Sequence, residues 1–158
     1  MTAPGSALVE RVADAARLAA GVLLVAVTAA LLLVIVGRYA GFATAWADEV
    51  ARVSFMWCVA LGGASGAYRG LNFAVPLIGT SLRGRNKAVL DSVLTLVVVL
   101  MCGLLLWATT QSLPVAALAR LPALGISGAW FHAAVSTFSV LTLFFMLSRL
   151  RGYWRPAA

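Results

Sequence analysis

The chain has 158 residues, 63% of them hydrophobic and only 11% charged, where an ordinary soluble domain carries roughly 25% charged residues. A composition this apolar excludes a water-soluble globular protein, because too little polar surface exists to clothe a core. The formal charge of +7 invites comparison with nucleic-acid binders, but the basic residues stand singly at the ends of apolar runs, where cations set topology and meet lipid headgroups, so no nucleic-acid partner is expected.

Four apolar runs, 18–36, 50–68, 88–111 and 126–147, approach the roughly 20 residues that a helix needs to cross a bilayer. With their flanks they predict spans of about 18–38, 48–69, 88–112 and 126–148. The expected fold is an all-α integral membrane protein with four transmembrane helices. The short connections leave no room for a soluble module, so 1–158 reads as a single domain, and no internal repeat is visible. Arg11, Arg17, Arg69, Arg83, Arg85, Lys87, Arg149, Arg151 and Arg155 fall on one side of four crossings, and only Arg38, Arg52 and Arg120 on the other. Nine against three predicts that the N- and C-termini are both cytoplasmic.

Residues 6–17 place Leu8, Val9, Val12, Ala16 and Leu18 at helical spacing. Two readings stand level: an amphipathic helix on the membrane surface, or a helical extension of the first span. The first span is too long for a signal-peptide core of about 7–15 residues. Despite Ala45-Trp46-Ala47 behind it, it is expected to remain uncleaved.

Arg38 closes the first span, a short connection away from Trp46, Asp48, Glu49 and Arg52. Asp48 suits an N-cap of the second span, Glu49 suits the positive end of the helix dipole, and Glu49 and Arg52 are spaced to pair on one face. Trp46 belongs at headgroup level. Two cations and two carboxylates at one depth read either as capping and anchoring, as subunit contact, or as an ion path.

Along the second span Ser54, Cys58, Gly62, Gly66 and Gly70 recur every four residues, beside Gly63 and Ala67. They form one narrow small-residue stripe, which lets helices approach closely in lipid. Packing against another span of this chain is the preferred reading and docking on a partner the alternative.

In the second connection Leu71, Val75, Ile78 and Leu82 precede Arg83, Arg85 and Lys87. That pattern suits a short interfacial helix between helices 2 and 3, with an irregular apolar loop as the alternative. The third span is bulky and apolar behind Asp91, and Pro114 and Pro122 bracket the third connection. The fourth opens near Trp130, carries serines and threonines expected to bond their own helix, and precedes Tyr153 and Trp154.

His132 is the only histidine and Cys58 and Cys102 the only cysteines. No bis-histidine haem can be built, no zinc set is clustered, and no phosphate loop, serine elbow or acid–base pair is present. His132 reads as a hydrogen-bonded packing residue. We expect no catalytic residue, no metal and no cofactor.

Residues 34–72, VIVGRYAGFATAWADEVARVSFMWCVALGGASGAYRGLN, resemble the small membrane subunit (DctQ type) of the tripartite ATP-independent periplasmic, or TRAP, transporters. The positions that carry the resemblance are Arg38, Tyr39, Trp46, Glu49, Arg52, Trp57, Gly62, Gly63 and Arg69. One departure is Asn72, where relatives often have a histidine. The resemblance implies a non-catalytic scaffold in the bacterial inner membrane. Its partners would be a large multi-span permease subunit, a periplasmic substrate-binding protein and membrane lipid. The implied process is sodium-coupled uptake of an organic acid. Subunit-contact or structural roles are expected for Arg38, Tyr39, Trp46, Asp48, Glu49, Arg52, Trp57, Gly62, Gly66 and Arg69. The small subunit of a tripartite tricarboxylate transporter and the membrane anchor of a redox enzyme are the alternatives.

Overall fold

The computed structural model of the protein describes residues 4–69 and 85–153. Their helices are α1 (Pro4–Ala40), α2 (Ala45–Tyr68), α3 (Arg85–Leu118) and α4 (Ala129–Tyr153). All four are long and apolar enough to cross a membrane, and the described residues contain no strand, only an isolated bridge between Arg120 and Ser127. The expected interfacial helix around 71–82, and Trp154, lie outside the described residues.

α1 runs unbroken for 37 residues, about 55 Å at 1.5 Å per residue. Residues 6–17 are therefore a helical extension of the first span, not a separate surface helix. The reason lies in packing. Val9, Ala13, Ala16 and Ala20 are buried along one face, and Val9 and Ala13 share a core with Ala64 of α2 and Phe145 of α4.

The turn after α1 is built around glycine. Gly41 has φ +77°, a left-handed conformation that ends helices at low cost only in glycine. The Phe42 N–H then reaches back to the Gly37 carbonyl at 3.1 Å, and a Cβ on Gly37 would overlap the methyl of Thr44. α2 begins at Ala45 with Thr44 as its N-cap. The expectation that Asp48 caps it is corrected: the helix starts three residues earlier, and the Thr44 carbonyl accepts the Ala47 and Asp48 N–H groups.

α1 and α2 pack antiparallel through small residues. Ser65 Oγ donates to the Ala13 carbonyl at 3.0 Å, Cys58 Sγ donates to the Ala20 carbonyl at 3.3 Å, and a Cβ on Gly62 would sit 3.5 Å from Ala20 Cβ. Here part of the stripe on the second span meets another span of its own chain. α2 and α4 run parallel, with Trp57 against Trp130, Gly63 against Phe138 and Tyr68 against Phe145. The principal contacts join α1 to α2, α2 to α4, and α4 to α3, so the helices form a row in the order 1-2-4-3.

α3 continues to Leu118 with Pro114 inside it, correcting the expectation that Pro114 borders the connection. Membrane helices tolerate an internal proline because surrounding groups can satisfy the freed backbone. The connection is consequently short and turns at Gly125, φ +67°.

The Gly62 and Gly37 environments predict opposite responses to the same small change. Gly62→Ala adds a methyl at ordinary contact distance and gains helix propensity of about 1 kcal/mol, so melting in detergent should hold or rise. Gly37→Ala forces the turn apart and should lower the melting temperature through a strain of about 1–3 kcal/mol. Equal melting of the two variants would show that the turn is not so tightly closed.

Candidate functional site

Glu49 sits one turn into α2 on the side facing α4 and is 8% exposed. Its Oε1 accepts the Ala123 N–H at 2.9 Å, and its Oε2 accepts the Leu124 N–H at 2.8 Å. A single carboxylate thus holds the loop between α3 and α4, across about 75 residues of sequence.

The loop is shaped to offer those donors. The Leu121 N–H donates to the Ile126 carbonyl, the Gly125 N–H to the Leu121 carbonyl, both at 2.8 Å, and the Gly128 N–H to the Ala119 carbonyl at 2.7 Å. Ser127 Oγ donates to the Ala117 carbonyl at 3.1 Å and accepts the Ala129 N–H at 3.2 Å. Pro122 opens the turn and Gly125 closes it. Consecutive N–H groups at such a crest form a concavity for an anion, and the positive end of α2 favours the same charge.

The other expected site residues are distributed as follows. Arg52 pairs with Asp48, not Glu49, one helical turn away and largely in the open. Arg38 is exposed and forms no ion pair among the described residues, so the four charged groups do not make one cluster. Tyr39 is 89% exposed and Trp46 half exposed. Trp57 meets Trp130 edge-on, with ring centroids 6.2 Å apart, and ties α2 to α4. Gly62 lies against α1, while Gly66 is half-buried on α2. Arg69 bonds Asp14, linking the C-terminal end of α2 to α1.

Sequence reasoning missed the Ala123 and Leu124 amides, Asp14 and Ala20. The backbone donors carry no side-chain signature; the only trace is a proline three residues before a glycine. His132 also departs from expectation, since its Nδ1 is buried without a hydrogen-bond partner among the described residues. No group of three or more His, Cys, Asp or Glu among the described residues could hold a metal ion.

Losing Glu49 strands two amide donors, each worth about 1–3 kcal/mol when left unsatisfied. Glu49→Ala should therefore lower the melting temperature clearly and speed hydrogen exchange at Ala123 and Leu124. Arg52→Ala removes only an exposed pair, worth about 0–1 kcal/mol, and should melt like the parent. Unchanged exchange in Glu49→Ala would show that the carboxylate does not hold the loop.

The chain matches the family described as Tripartite ATP-independent periplasmic transporters, DctQ component, over residues 27–155. No curated protein matches it. The family match decides against the tricarboxylate and redox-anchor alternatives, and it begins well inside α1. Membership implies partnership with the large DctM subunit and a periplasmic binding protein. With four membrane-capable helices, the chain is a multi-pass protein of the bacterial inner membrane. It belongs to the DctQ family, the non-catalytic small permease subunit of TRAP transporters.

Proposed function

We propose that this subunit is a fixed brace for the large permease subunit and part of the docking surface for the binding protein, within a system for sodium-coupled uptake of an organic acid. The observation that carries the reading is the closure of the central helix pair at both ends. Glu49 holds the α3–α4 loop to the outer end of α2, and Tyr68 packs on Phe145 at the inner end, with ring centroids 5.1 Å apart. A helix pair pinned in two places resists the relative motion that alternating access requires of a moving element.

Four of the polar groups inside the spans support the same view. Thr28, Thr109, Thr137 and Ser139 donate to carbonyls four residues back on their own helices. Such groups are not free to relay an ion. Arg38, Tyr39, Asp48, Glu49, Arg52 and Arg69 then act structurally or at subunit contacts. In this reading 1–158 is one membrane domain with both termini in the cytoplasm, so the 41–44 turn and the Glu49-held loop face the periplasm. Glu49 would set the shape of the surface offered to the binding protein.

Deleting this chain while keeping the large subunit and binding protein should abolish sodium-dependent uptake of a labelled carboxylate by cells. The chain alone in liposomes should move no solute. Uptake that persists after deletion would defeat the brace. For orientation, a green fluorescent protein fused after Ala158 should fluoresce and alkaline phosphatase placed after Gly41 should be active. The reverse pattern would invert the topology.

A further inference from the structure

Residues 4–17 carry α1 well past its apolar run, which begins at Leu18, and one crossing of the hydrocarbon needs only about 20 residues. The extension has two faces. Val9, Ala13 and Ala16 are buried, four and then three residues apart, while Glu10, Arg11, Asp14 and Arg17 are exposed. Charges on one side and small apolar side chains on the other mark a helix laid on an apolar surface in contact with water. The family match starts at residue 27, so this segment lies outside it.

The buried face rests on the C-terminal ends of α2 and α4. Val9 and Ala13 share a core with Ala64 of α2 and Phe145 of α4, and Val12 and Tyr68 pack against it. Ser65 Oγ, itself buried, donates to the Ala13 carbonyl at 3.0 Å. Phe145 has no exposed surface, although its neighbour Phe144 is exposed. A phenyl ring is shut off completely only when cover comes from every side. Here α2 gives Ala64 and Tyr68, and the extension gives Val9 and Ala13. The Asp14–Arg69 pair stands at the same junction but is exposed, so it contributes little. Apolar burial carries the contact, and beside the charged flank of α1, where water is at hand, the hydrophobic effect drives it.

We propose that residues 4–17 are a strap: they clamp α4 onto α2 at the C-terminal ends of both helices, and uptake by the assembled transporter requires that clamp. The proposal rests on the brace reading and names what secures the end of the helix pair remote from Glu49. Without the strap, Phe145 would lie open on the side away from α2, and the Tyr68–Phe145 contact would hold that end without cover. The strap also explains a difference along the row. Elsewhere α1 meets mainly α2, but at this end its residues enter one core with a residue of α4.

The test is hydrogen exchange on the purified subunit with one aspartate placed on either face of the extension. Val9→Asp drives a charge into the shared core; Leu8→Asp adds the same charge one residue away, at a position 60% exposed. The two variants alter the charge that sets topology equally. Val9→Asp should speed exchange across 64–68 and 141–147 by roughly tenfold or more, the scale of one lost buried valine. Ala123 and Leu124, held by Glu49, should stay protected, and Leu8→Asp should exchange like the parent. If Val9→Asp frees the Ala123 and Leu124 amides too, the whole fold has been lost and Val9→Ala, which only trims the contact, decides. Faster exchange confined to 64–68 and 141–147 then upholds the strap, and unchanged exchange overturns it. Equal behaviour of Leu8→Asp and Val9→Asp overturns it as well. In cells containing the large subunit and binding protein, the position-9 variant that keeps its loop protected should cut sodium-dependent carboxylate uptake several-fold at equal subunit abundance. Full uptake despite faster exchange would refute the claim that transport needs the strap. Uptake that survives deletion of the whole subunit would defeat the brace reading instead, and the exchange result would stand apart from it.

Discussion

A backbone N–H shut away from water must find an acceptor, and that constraint governs the loop between α3 and α4. Each such amide left unsatisfied costs about 1–3 kcal/mol. The α3–α4 loop meets the demand partly within itself, through Leu121, Gly125 and Gly128. At its crest, however, the Ala123 and Leu124 amides point away from the loop, and Glu49 receives both. One buried carboxylate therefore lets an irregular segment sit against α2. It also fixes where α4 begins, and so the register along which Trp57 finds Trp130 and Tyr68 finds Phe145.

The lipid solvent explains why the helices form a row. In water, four apolar helices would close into a bundle to hide their surfaces. In lipid that force is absent, and close packing decides which helices touch. α2 offers small residues on two sides: Cys58, Gly62 and Ser65 toward α1, and Gly63 toward Phe138 of α4. It consequently sits between two neighbours. α1 and α3 each have one principal neighbour and keep long apolar faces, among them Leu18, Val22 and Val25 on α1 and Leu96, Leu100 and Leu104 on α3.

The spans were legible in the sequence because their signal is length and hydropathy, which the bilayer reads directly. Their ends were less so. Apolarity marks the hydrocarbon boundary, whereas α1 and α3 run on beyond the runs at 18 and 111, held by packing of Val9 and Ala13 and by a tolerated Pro114. The pairing of Asp48 with Arg52 follows the i, i+4 rule and could have been preferred to Glu49 with Arg52 at i, i+3. The partner of Glu49 could not, because it is backbone far along the chain and has no residue signature. The stripe on α2 was visible as spacing, but which helix it meets is a fact of the row.

Asp48 and Glu49 show how this arrangement suits a stationary part. Neighbours in sequence lie about 100° apart around a helix, so one faces outward to Arg52 and the other inward to the loop. Glu49 has both oxygens committed to amides, and Arg69 is committed to Asp14. The buried carboxylate defines geometry, because it cannot exchange partners without dismantling the loop it secures, whereas the exposed Arg69–Asp14 pair is worth only about 0–1 kcal/mol. Uncommitted polar groups among the described residues lie on the rim, at Arg38 and Tyr39 on the tip of α1, and inside α4, at His132 Nδ1 and Thr142 Oγ1.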